Sequence, residues 1–138
     1  LARALNRESG LLGVSGVSSD YRAVEAAANA GSDRARLALD MYAEGVRGAI
    51  GSLATTLDRL DALAFTAGIG ENSAALRASV CDGLGTLGIG IDDARNRETQ
   101  PDADIATADS RARVLLIRAR EDLMIAREVR SVLAGTSS

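Results

Sequence analysis

Residues 61–66, Asp-Ala-Leu-Ala-Phe-Thr, form a short apolar run that breaks off at Ala67-Gly68-Ile69-Gly70-Glu71-Asn72 and resumes behind Ser73 with helical spacing. A run of this length between turn residues reads as a buried strand, and the glycines that follow read as a tight turn. Ser73 is then the expected cap of a helix reaching about residue 84. The same order recurs near the end of the chain. Residues 114–117 read as strand, and residues 121–133 as helix, with Glu121 and Asp122 in its first turn and Arg127 and Arg130 late. Strand, turn and helix in that order, written twice, place the chain in the α/β class.

The remaining elements are read from punctuation and period. Residues 1–20 are rich in Gly and Ser and predict turns, with a short strand over 11–14. Asp20 is placed to cap a helix over 21–30, with Gly31 just past its end. Ser32 caps the longest helix, whose apolar stripe is Leu39, Tyr42, Val46, Ile50, Leu53 and Leu57. Gly45, Gly48 and Gly51 on that helix leave two readings open: close packing of another helix, or a dimer seam. Residues 88–91 read as a short strand, and residues 105–108 as a strand segment joined to that at 114–117 by a turn at Asp109-Ser110. Residues 92–104, holding the only proline, Pro101, read as an exposed loop.

Composition limits the chemistry. The 138 residues suit one domain that folds without disulfides or metal. With one Phe, two Tyr and no Trp, the core must be aliphatic. All 16 basic residues are arginine, and His is absent. That removes Ser-His-Asp and Cys-His catalysis, His-ligated zinc, Schiff-base lysines and the P-loop lysine. Cys81 is the single cysteine, expected to be a small apolar filler in a reducing compartment. A net charge of −3 with dispersed arginines argues against nucleic acid as partner. No run approaches the roughly 20 apolar residues of a membrane span. No leader peptide is expected, and Leu1, not being Met, is expected to be a cut point or a trimmed edge.

Three constellations could carry function. In Thr66-Ala67-Gly68-Ile69-Gly70-Glu71-Asn72-Ser73 a strand gives way to glycines and a helix start. Bare backbone there admits a flat ring or a ribose, and exposed amides suit an anion. Asn72 could hydrogen-bond a polar ligand group. A plain glycine connection fits the same letters. A dinucleotide fingerprint fits less well, because Ser73 stands at its third glycine and Asp92 follows in a helix-then-loop setting. Gly16-Val17-Ser18-Ser19-Asp20-Tyr21-Arg22 is a capped helix start, but Arg22 in the first turn opposes the dipole unless its guanidinium meets a purine or a phosphate. Glu121-Asp122 is either first-turn charge complementarity or a pair of oxygens for Mg²⁺.

Taken in order, Ser9 through Arg22, Phe65 through Ser73, Val80-Cys81-Asp82-Gly83-Leu84, Thr107-Ala108-Asp109-Ser110-Arg111 and Glu121 through Glu128 resemble the acetate kinase (acetokinase) family. The likeness runs through nearly the whole chain. It implies a partial RNase H-like domain of the acetate and sugar kinase, Hsp70 and actin superfamily. Residues 1–138 would be the carboxyl-terminal nucleotide-binding and dimerisation part, with the amino-terminal domain absent. The resemblance carries nucleotide contact to Asp20, Tyr21, Arg22, Gly68, Ile69, Gly70, Glu71 and Asn72, and a magnesium role to Glu121. The family usually has Asn-Glu-Glu where this chain has Arg120-Glu121-Asp122. The family's phosphate-binding Asn and Ser, its catalytic Arg and His and its acetate pocket have no counterpart here. The implied activity is reversible, Mg²⁺- or Mn²⁺-dependent phosphorylation of acetate by ATP, giving acetyl phosphate and ADP, in a cytoplasmic homodimer. A propionate or butyrate kinase, a non-catalytic nucleotide-binding module and a purely structural dimerisation domain are the other readings.

Overall fold

A computed structural model describes residues 8–135; the expectations for residues 1–7 lie outside them. The chain opens with α1 (Gly10–Ser15), α2 (Tyr21–Asn29) and the long α3 (Asp33–Ala54). Then come β1 (Ala62–Phe65), α4 (Ala67–Asn72), α5 (Ala74–Asp82), a 3₁₀ turn at Gly85–Leu87 and α6 (Asp93–Glu98). It closes with β2 (Ala103–Asp104), β3 (Arg113–Leu116) and α7 (Glu121–Gly135). The α/β class stands. Among the described residues no helix is long and apolar enough to cross a membrane.

The sheet has the order β1-β3-β2. β1 and β3 run parallel, in register from Ala62 opposite Arg113 to Phe65 opposite Leu116. β2 lies antiparallel on the other side of β3. Parallel neighbours need a long crossover, and the segment from α4 to β2 supplies it. The expected burial of β1 does not hold: only Phe65 is buried. Alternate residues explain this: Leu63 and Phe65 turn to the core, while Ala62 and Ala64 on the opposite face are exposed.

Helix caps form where the letters place them. Asp20, Ser32 and Ser73 each accept a hydrogen bond from a backbone amide of the first turn, those of Arg22, Ala35 and Leu76. Three expectations fail for tertiary reasons. Residues 10–15 are helix rather than strand, because Leu11 and Val14 pack against Val24, Ala28, Ala35 and Ala38. Arg34 holds the end of that helix: its Nε and Nη2 donate to the Val14 and Gly13 carbonyls at 3.0 and 3.2 Å, and Gly16 turns away at φ 70°. Residues 92–104 are not a bare loop, since α6 is held by its buried Asn96, which accepts from Arg77 Nε at 2.8 Å, and is capped by Asp92 through the Arg95 amide. Residues 88–91 and 105–108 form no strand of their own; they meet in one bridge, Ile91 with Ala106.

The core is aliphatic, as composition demands. Ile105, Leu116, Val24, Val80 and Val114 are its largest fully buried side chains. Leu39, Tyr42, Val46 and Ile50 of α3 lean on it. The stripe stops there, because Leu53 and Leu57 are exposed. A side chain added at Gly45, Gly48 or Gly51 would meet nothing within 4 Å. Close packing by another helix of the described chain is therefore not what these glycines serve.

Replacing Ile105 by Ala should cost about 2–5 kcal/mol, the range for deleting a buried aliphatic side chain, read from the urea midpoint. The Asp104 carboxylate accepts from the Ala106 amide, the Arg113 guanidinium and the Val114 amide. These bonds, the Ala106 amide first, hold its pKa below the ordinary 3.8. A depressed acid stabilises the fold above its unfolded pKa and loses that contribution as pH falls through the folded one. Asp104→Asn should therefore make stability less pH-dependent in the acid limb of a denaturation series.

Candidate functional site

A cavity of about 680 Å³ opens between the start of α2 and the outer side of α4. Its lining is Asp20, Tyr21, Arg22 and Glu25 on one wall and Gly68, Ile69, Asn72 and Ser73 on the other. Segments 46 residues apart in sequence thus share one hollow.

On the α2 wall, Asp20 Oδ1 accepts from the Arg22 amide at 2.9 Å, and Oδ2 lies 3.4 Å from Arg22 Nη2. These contacts hold the Asp20 carboxyl below its usual range, the amide bond contributing most. They also supply a local reason for an arginine in the first turn. The Arg22 side chain is 84% exposed, so its guanidinium is available at the rim. Tyr21 is buried, with its ring 5.4 Å from that of Tyr42. Burial pushes the Tyr21 phenol upward, with the Ser73 hydroxyl acting the other way.

The α4 wall departs from the expected tight turn. Residues 67–72 are a six-residue helix entered through Ala67 at φ 59°, a left-handed conformation that costs a non-glycine residue roughly 1–3 kcal/mol. A helix this short offers little dipole, so what distinguishes this wall is its bare backbone. A Cβ built at Gly68 would meet no atom of the described residues within 4 Å. The smallness of Gly68 therefore answers to no packing demand of the described chain. Asn72 Nδ2 donates to the Gly68 carbonyl at 2.6 Å and fixes the turn.

Of the residues expected at a ligand, Asp20, Tyr21, Arg22, Gly68, Ile69 and Asn72 line the cavity, while Gly70 and Glu71 do not. Gly70 backs onto the Phe65 main chain. Glu71 Oε1 accepts from the Ala119 amide at 2.6 Å, tying α4 to the segment leading into α7. Glu121 is also absent from the lining. Glu25 was missed in the sequence. It lies one turn past Arg22 on the same face of α2, a spacing that could have marked it. Its Oε1 accepts from the Ser73 hydroxyl at 2.7 Å.

Among the described residues no group of three His, Cys, Asp or Glu side chains converges to hold a metal. Glu121 and Asp122 are exposed in the first turn of α7. One or two such oxygens suit Mg²⁺, which keeps most of its water or takes phosphate oxygens. These two neighbouring carboxylates form no closed protein cage.

The acetokinase family model matches residues 1–127. The chain belongs to the acetokinase family. It is 52% identical over 128 residues to an acetate kinase of Gloeobacter violaceus, covering 93% of this chain and 32% of that protein. An acetate kinase structure from Porphyromonas gingivalis superposes with a TM-score of 0.87 at 35% identity, covering 96% of this chain and 33% of the other. A propionate kinase structure from Francisella tularensis gives 0.84 at 36% identity, covering 92% and 32%. The fold is thus a part of the acetate kinase fold, and the chain spans about a third of the length of the curated relatives it matches.

Cys81 fits its expected filler role. It is 4% exposed, and burial pushes its thiol up to about 11. A buried thiol at that pKa is almost wholly protonated at neutral pH. Native protein should resist iodoacetamide at pH 7.5, and one equivalent should react on unfolding, as read by intact mass.

Proposed function

We propose that this acetokinase-family chain supplies the adenosine side of the ATP site of a kinase that phosphorylates a short carboxylate, acetate first. One observation supports it most. The exposed Arg22 guanidinium and the bare backbone at Gly68 share a hollow whose open space no side chain of the described protein claims. A purine lying on the Gly68–Ile69 wall leaves its other face to the planar Arg22 cation, a pairing favourable when partly desolvated. Asp20 orients Arg22, Asn72 holds the wall, and Glu25 offers an acceptor to ribose or amino hydrogens. Gly70 and Glu71 then act behind the wall rather than at the ligand.

In the reaction proposed, acetate oxygen attacks the γ-phosphorus of ATP in line, ADP leaves, and acetyl phosphate forms. Such transfers rest on positioning and charge stabilisation. Glu121, with Asp122 beside it, would hold Mg²⁺ or Mn²⁺, which neutralises phosphate charge when bound. The acyl pocket and the phosphate-side groups are assigned to parts of the enzyme outside these 138 residues. Apolar Leu123, Ile125 and Val129, exposed on α7, suit packing against such parts. A homodimer is proposed too: the glycine face of α3 is open, and Leu37 and Met41 beside it are exposed. The likeness to a propionate kinase favours longer acids as the second reading of substrate.

Calorimetric titration of the chain with ADP and Mg²⁺ tests this. Binding is expected, and Arg22→Ala should weaken it roughly tenfold, the scale of losing a desolvated cation–π contact. The chain alone should form no acetyl phosphate. A purely structural dimerisation domain would instead give no nucleotide heat, and an unchanged affinity in Arg22→Ala would remove Arg22 from the site.

A further inference from the structure

Arg77 is 3% exposed, yet no carboxylate among the described residues pairs with it. A buried cation without a counter-ion is costly, and an apolar side chain of similar volume would serve packing better. Every acceptor bonded to the guanidinium is neutral. Nη1 donates to the Gly70 and Glu71 carbonyls, both at 2.8 Å. Nε donates to Asn96 Oδ1 at 2.8 Å, and Nη2 to the Asn96 carbonyl at 2.7 Å. Asn96, itself 2% exposed, donates from Nδ2 to the Ala74 carbonyl at 2.8 Å.

The Gly70 and Glu71 carbonyls belong to the last turn of α4, where a helix leaves carbonyls without internal partners. Arg77 caps them, and its positive charge suits that end of the helix. Asn96 braces the cap from α6. The bracket therefore joins α4, α5 and α6. Arg77 is not on the lining of the hollow, so it can act there only through α4.

We infer that Arg77 is a positioning residue for the nucleotide hollow, holding the α4 wall in the shape that presents Gly68, Ile69 and Asn72. The inference rests on the nucleotide reading of that hollow. Lysine cannot replace the arginine, because one ammonium lacks the planar fork that reaches carbonyls on α4 and α6 together.

The test measures ADP affinity by calorimetry and amide exchange over residues 67–73, in wild-type protein, Arg77→Lys, Asn96→Ala and the core control Ile105→Val. Arg77→Lys should speed exchange over 67–73 by about tenfold, as local opening becomes easier, and weaken ADP by about tenfold. Asn96→Ala should move both readouts in the same direction by less, and it serves if Arg77→Lys fails to fold. Ile105→Val should lower the melting temperature and leave both readouts unchanged. Wild-type exchange over 67–73 in a folded Arg77 or Asn96 variant overturns the inference. So does a control that shifts both readouts as far as the bracket variants do. Absence of ADP binding by wild-type protein would instead sink the nucleotide reading, while the exchange data still decide whether the bracket holds the wall.

Discussion

The Ser73 hydroxyl holds the two walls of the hollow together. Its Oγ accepts from the Leu76 amide at 3.1 Å and donates to Glu25 at 2.7 Å. The Ser73 amide meanwhile donates to the Ile69 carbonyl at 2.9 Å. One residue thus ends α4, starts α5 and anchors α2. It is 5% exposed, so an unmade bond there would leave a buried polar atom without water to replace it. That penalty gives the joint its rigidity, and the hollow depends on the joint.

Arginine side chains do much of the structural work between segments of this fold. Arg34 closes α1 through the Val14 and Gly13 carbonyls. Arg77 closes α4, and Arg47 reaches the Ser79 carbonyl at 2.8 Å. In each case a guanidinium from one helix satisfies main-chain acceptors on another segment. The fork geometry permits two acceptors per side chain, which an ammonium would serve poorly. A chain whose bases are all arginine can therefore hold short helices that their own length would not sustain.

The chain's letters announced the strand at residues 62–65 and the caps at Asp20, Ser32 and Ser73, because those signals are local. Apolar period and a side-chain oxygen next to its own helix start suffice to specify them. The same letters misread residues 10–15 and 92–104. Their helices exist because Leu11 finds a distant apolar cluster and because Asn96 finds Arg77, and neither partner is near in sequence. Glycine-rich or polar composition says loop until such a contact outweighs it.

Sequence alone determined the α/β class, the aliphatic core, the exclusion of His and Lys chemistry, and the residue types gathered at the candidate site. Tertiary structure decided how those residues divide. Arg22 and Gly68 face one cavity, Glu71 is drawn off to the Ala119 amide, Glu25 joins the lining, and Glu121 stays outside it. The reason is geometric: spacing along a chain fixes which face of a helix a residue occupies, but only packing fixes what that face meets.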